Sequence, residues 1–272
     1  MPNEQPIGIF DSGFGGLTVA RAVIDLLPSE DVVYFGDTAR YPYGPRSLDE
    51  VRDFSMQISS YLVNQHNVKL LVVACNTAAA AALEDLTAKV NVPIIGVIYP
   101  GTQAAIDVSE KGKIGVIGTV GTINSGAYVR AFHELSSDQI ELFPLACPGF
   151  VEFVERGESS GEQLHVLAER LLAPIVSAEV DTLLLGCTHY PYLARAIAKV
   201  VGNDVVLVSS ADETAFAVAK LLKEMDLAAT GEKSGKRVFI SSGDVSWFAE
   251  VGQRLFGPEL ASAQAHEWNP SP

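Results

Sequence analysis

The chain is 272 residues long, 48% hydrophobic and 19% charged, enough for one large domain or two smaller ones to bury a real core. Thirty-three acidic residues against 19 basic ones leave a net charge of −14. That balance argues against nucleic acid or an anionic membrane as partner, while a local pocket can still take a small anion.

Taken in chain order, the opening MPNEQPIGIF carries no charged-then-apolar leader and runs into a first strand, IGIF (7–10). Further short apolar runs follow: VVYF (32–35), LLVVA (70–74), IIGVI (94–98) and IGVIG (114–118). IELFPL (140–145), TLLLG (182–186), VVLV (205–208) and RVFIS (237–241) complete the set. Between most of them lie stretches with helical spacing, clearest in LTVARAVIDLL (17–27) and VRDFSMQISSYLV (51–63). This alternation predicts an α/β fold with mostly parallel sheet and helices on both faces. Ligand chemistry is then expected at the carboxyl ends of the strands. Segment 228–236 reads as a polar loop, and the aperiodic, proline-containing tail 257–272 is expected to be frayed or disordered. No apolar run approaches the ~20 residues of a bilayer span.

The chain also resembles itself. IGIFDSGFGGLTVARAVIDLL (7–27) is similar to IGVIGTVGTINSGAYVRAFHEL (114–135), and VKLLVVACNTAAAAALEDL (68–86) to VDTLLLGCTHYPYLARAI (180–197). Two related α/β halves are therefore expected, with Cys75 matching Cys187. From that repeat, residues 1–98 plus 207–272 are assigned to a first domain and 99–206 to a second.

The cysteines are Cys75, Cys147 and Cys187, with no Cys-x-x-Cys spacing and no His-Glu-x-x-His elsewhere. Free thiols in a reducing cytoplasm and no metal site are the expectation. Cys75 and Cys187 each end an apolar run ahead of a helix-like segment. Asn76 or Thr77 can cap the helix after Cys75, and Thr188 and His189 follow Cys187. A helix N-terminus and its unpaired N–H groups would favour thiolate. The plainer alternative, a small buried apolar residue, fits a lone cysteine better than a matched pair. Cys147 has no counterpart and reads as structural.

Asp11 and Ser12 end the first strand, where an aspartate can cap the next helix or reach a reacting group. The glycines of GFGG lack dinucleotide spacing and would let the backbone approach a small ligand. Pro42, Tyr43 and Gly44 form a turn after the second strand, an ordinary loop or a substrate contact.

Together IGIFDSGFGGLTV, GDTARYPYG, ACNTA, GTVGTINSGAY and LLLGCTHYPYL resemble the glutamate racemases of the aspartate/glutamate racemase superfamily, from about residue 7 to the region of 224. The resemblance implies two domains facing each other across a cleft, and cofactor-independent interconversion of L- and D-glutamate for peptidoglycan in the bacterial cytoplasm. It implies Cys75 and Cys187 as the acid/base thiols, with Asp11 assisting the first and His189 the second. It implies substrate contacts from Asp11, Ser12, Pro42, Tyr43, Gly44, Asn76, Thr77, Thr119, Thr122, Thr188 and His189. The chain departs from the family at Glu152, leaving open whether Glu152, Glu155 or neither faces the cleft. No cofactor, nucleic acid or membrane partner is expected, and a homodimer is compatible. An aspartate racemase, a two-lobed solute-binding module and a cysteine hydrolase are the rival readings. The hydrolase would leave one thiol idle.

Overall fold

The computed structural model describes residues 4–136, 140–231 and 233–268. The apolar runs form parallel strands, and helices separate them. In the first part of the chain these are β1 (Ile7–Asp11), α1 (Leu17–Leu26), β2 (Val32–Gly36), α2 (Leu48–His66), β3 (Leu70–Val73), α3 (Asn76–Lys89), β4 (Ile94–Gly96) and α4 (Ile98–Val108). The middle part holds β5 (Lys113–Gly118), α5 (Val120–Asn124), α6 (Ala127–Leu135), β6 (Glu141–Ala146), α7 (Phe150–Glu155), α8 (Glu162–Ser177) and β7 (Thr182–Gly186). A short 3₁₀ turn, Tyr190–Leu193, leads into α9 (Ala194–Val201), β8 (Val206–Ser209) and α10 (Ser210–Glu224). The chain then returns through β9 (Arg237–Ser241), α11 (Val245–Leu255) and β10 (Gln264–Ala265).

Two parallel sheets result, ordered β10-β9-β2-β1-β3-β4 and β6-β5-β7-β8. Every residue of β1, β2, β3 and β7 is buried, because helices cover both sheet faces. That is why these strands read as unbroken apolar runs rather than as alternation. Each sheet repeats one order: the second strand on one side of the first, the third and fourth on the other. The switch point falls between β1 and β3 in one sheet and between β5 and β7 in the other. Ligands enter parallel sheets there.

Local signals set the helix ends. Ser47 and Glu50 form a reciprocal capping box at the start of α2, and Asn67 closes it in the left-handed region at φ 49°. The sheets join through helices. α4 packs against α10, α6 and β7, and the larger core runs from the first sheet into the second through Ile114, Val116 and Leu184.

Two expectations need correction. β8 pairs with β7, Thr182 against Val206 through Leu185 against Ser209, so a division at 206/207 cuts a strand of the second sheet. The return crossing follows Ser209. The apolar residues of 205–208 placed the strand, but only the pairing shows which sheet it joins. The tail is ordered to Trp268. Leu260 is fully buried, β10 pairs with β9, and the Trp268 indole donates to Asp37 Oδ1 at 2.9 Å. A two-residue strand between loops has no periodicity for sequence reading to detect. The last four residues of the tail, 269–272, lie outside the described residues.

Candidate active site

The loops that leave six strands converge on one cleft of about 290 Å³, at the small end for ligand pockets. Ser12 follows β1, residues 41–45 follow β2, and residues 75–77 follow β3. From the second sheet come Thr119 and Val120 after β5, residues 147–149 with Val151 and Glu152 after β6, and residues 187–190 after β7. Cys75 and Cys187 therefore line one cavity from matching strand ends. Each is 5% exposed.

Cys75 is itself the N-cap of α3, in place of Asn76 or Thr77. Its Sγ accepts from the Ala78 N–H at 3.4 Å and donates to Ser12 Oγ at 3.8 Å. The helix start was expected to favour thiolate. The structure reverses that sign: burial first, then the negative charge of Asp11, outweigh the Ala78 and Ser12 hydrogen bonds and push the thiol up to about 12. Asp11 does not cap α1, whose N-cap Gly16 has no side-chain bond. It is fully buried behind the cleft wall, accepts from the Gly13 N–H at 2.9 Å, and meets Thr188 Oγ1 at 3.5 Å.

Cys187 stands before a single 3₁₀ turn rather than a long helix. Its neighbour is an imidazole: His189 Nδ1 lies 3.9 Å from Sγ, and His189 Nε2 lies 3.4 Å from Glu155 Oε1. Burial alone would depress this imidazole. The hydrogen bonds to Cys187 and then Glu155, followed by the negative charges of Cys187 and Asp11, outweigh it and raise His189 to about 10. His189 is therefore a buried imidazolium at neutral pH. The two glutamates divide the work: Glu152 lines the cleft, while Glu155 stands behind His189. Sequence reading missed Tyr41, a cleft residue whose phenol is held neutral by burial and by Glu155. Its signals in sequence are its place inside GDTARYPYG and before the Pro42 turn.

Asn76 lines the cleft, and its Oδ1 accepts from Tyr128 OH at 2.6 Å. The amide nitrogen, buried, has no partner among the described residues. Whichever way the amide is turned, Tyr128 engages one polar atom and leaves the other for the cleft. Thr77 of one half and Thr119 and Thr122 of the other share hydroxyl bonds of 2.9–3.1 Å, so Thr122 supports the wall without lining it. Pro42, Tyr43, Gly44 and Thr188 line the cleft.

The GFGG glycines do not line the cleft. A Cβ on Gly15 would sit 2.2 Å from Thr188 Oγ1 and 2.5 Å from His189 Nδ1, so this glycine lets the two halves approach. Cys147 lines the cleft, and burial followed by the charge of Cys187 pushes its thiol up to about 12. No helix is long and apolar enough to cross a membrane, and no three metal-ligating side chains cluster, among the described residues.

The sequence profile of the Asp/Glu/hydantoin racemase family matches residues 17–218. Glutamate racemase of Corynebacterium diphtheriae is 48% identical over 262 residues, covering 96% of this chain and 98% of the relative. Among solved structures, glutamate racemase from Bacillus anthracis matches with a TM-score of 0.92 at 42% identity, covering 98% of each chain. Glutamate racemase from Francisella tularensis, solved in complex with D-glutamate, matches with a TM-score of 0.88 at 33% identity, again over 98% of each chain.

Proposed function

The chain belongs to the Asp/Glu/hydantoin racemase family and interconverts the enantiomers of glutamate; we propose that it does so by proton transfer between Cys75 and Cys187. The carrying observation is that two thiols from equivalent strand tips line one small cleft.

Racemisation removes the α-proton and returns one to the opposite face. A single base would have to move around the carbon, whereas bases on opposing sides can stay in place. In one direction the Cys187 thiolate, beside the His189 imidazolium, takes the proton while the Cys75 thiol delivers one from the other side. In the reverse direction the roles exchange, with Ser12 and the Ala78 N–H steadying negative charge on Cys75. The developing carbanion needs donors aimed at the α-carboxylate in a dry site, each typically worth about 3–4 kcal/mol. The amide nitrogen of Asn76 and the hydroxyl of Thr77, both on the cleft wall, are the donors assigned to this role, while Thr188 lines the same wall with its hydroxyl turned to Asp11. The hydrolase rival uses Cys187 and His189 and assigns Cys75 nothing.

The family acts without a cofactor and supplies D-glutamate for bacterial peptidoglycan. A cytoplasmic setting suits the three free cysteines, since proton transfer needs reduced thiols. A homodimer is compatible with the family, and light scattering on the purified protein decides it.

The test is incubation with L-glutamate in heavy water without added cofactor. Deuterium should enter the α-position as D-glutamate forms. Persistence of wild-type racemisation in Cys187→Ala would sink the two-thiol account.

A further inference from the structure

The C-terminal segment pairs with β9 and reaches Asp37 at the end of β2. Trp268 does not line the cleft, yet its indole N–H donates to Asp37 Oδ1 at 2.9 Å. Asp37 is fully buried, and its carboxylate is saturated. Ser242 Oγ donates to Oδ1 at 2.7 Å, Arg40 Nε donates to Oδ2 at 2.7 Å, and the Tyr43 hydroxyl donates to Oδ2. The Arg40 guanidinium lies between two rings, 4.0 Å from the Trp268 centroid and 4.2 Å from that of Phe54. Both Tyr43 and the neighbouring Gly44 line the cleft, and Gly44 O accepts from Gly121 N of the other half at 3.0 Å. β10 fastens the segment to β9, with His266 N donating to Ser241 O at 2.9 Å.

We propose that this tail is a strap, and that Trp268 is a positioning residue which sets the substrate loop 41–45 through Asp37 and Arg40. A buried carboxylate must keep its donors or bear an uncompensated lone pair. Removing the indole frees one side of Arg40 and one acceptor position of Asp37, and Asp37 is what holds the Tyr43 hydroxyl. A loop that is no longer prepaid in entropy must be ordered by the substrate itself, which weakens binding more than it slows chemistry.

The proposal rests on the glutamate reaction above for one readout only. Trp268→Ala in the full chain should raise KM for glutamate about fivefold or more with kcat within about twofold. Hydrogen exchange should rise in the peptide covering 37–46 and stay unchanged in β4 and β5. A purely structural role would lower the active fraction, and so apparent kcat, without moving KM. Should Trp268→Ala fail to fold, Trp268→Phe keeps a ring and removes only the donor, with a KM rise of about twofold and the same exchange signature. An unchanged KM, or unchanged exchange in the loop, overturns the strap. If the unaltered protein does not racemise glutamate, the reaction assignment falls, and the exchange readout still decides the strap.

Discussion

Cys75 and Cys187 occupy the same position in two sheets of the same strand order, and both are 5% exposed. Their surroundings nevertheless differ. Cys75 caps a 14-residue helix and faces a hydroxyl, with Asp11 buried nearby. Cys187 precedes a four-residue 3₁₀ turn and faces an imidazolium that Glu155 supports. One side keeps its thiol neutral, and the other places a positive charge beside sulfur. Equal burial with unequal neighbours separates what the repeat supplies, two sulfurs at matching strand tips, from what the neighbours add. Those neighbours differ in charge: a buried carboxylate acts on Cys75, and the His189 ring stands beside Cys187. Since two enantiomers have equal free energies, any loss in kcat/KM must be equal in both directions. The asymmetry can show only in individual steps.

The largest effect expected is loss of either thiol. Cys75→Ala and Cys187→Ala should each lower kcat/KM by about 10³-fold or more, read by polarimetry or by deuterium entry at the α-carbon. Activity surviving in one of the two variants would break the comparison. His189→Asn comes next, at about 100-fold, with the Cys75 side untouched. Its wild-type counterpart should show an alkaline limb in kcat/KM near pH 10, where the imidazolium is lost, and the variant should lack that limb. A limb that survives the substitution removes His189 from the Cys187 side.

Gly15→Ala tests whether the halves must approach so closely. Its methyl would collide with Thr188 and His189, so a loss of about tenfold or more in kcat is expected, with the collapse centred on the Cys187 side. Wild-type activity there would mean that the interface relaxes freely. The same charge logic predicts an effect on stability. His189 is raised from 6.5 to about 10, so the stability it contributes is fully present below pH 6.5 and is lost as pH climbs through 10. Cys75, raised from 9.0 to about 12, acts with the same sign but only above pH 9. Urea unfolding between pH 6 and 9 should therefore show a decline that His189→Asn abolishes and Cys75→Ala retains. The smallest effect belongs to Cys147→Ala, which should cost less than about tenfold, well under the roughly 10²-fold typical of losing an acid–base group. A larger drop would make the site a three-thiol problem.

Much of this site was legible in sequence because its signals are local. An apolar run, a cysteine and a helix-like stretch are contiguous, and their recurrence announced both the parallel sheets and the pairing of Cys75 with Cys187. What stayed hidden depends on residues far apart in the chain. Asn76 and Thr77 are good capping types, yet the sulfur of Cys75 took the cap because the strand ends one residue earlier. Asp11 was expected to cap a helix or reach a reacting group and sits behind the cleft wall, with its carboxylate engaged by Gly13 and Thr188. Tyr41 sits inside the GDTARYPYG motif without standing out from it, and Glu155 was undecided against Glu152; they matter through their contacts with the cleft and with His189. Trp268 lies 231 residues from the Asp37 it bonds, in a tail whose composition suggests disorder.

The sequence by itself determined the strand–helix alternation, the doubling of the α/β unit and the identity of the two sulfurs, because each rests on patterns within some twenty residues. Tertiary structure alone decided the sign of the Cys75 shift, the charge on His189, the role of Glu155 and the docking of the tail. Those are properties of burial and of charge–charge distance, and both exist only once segments distant in the chain have packed together.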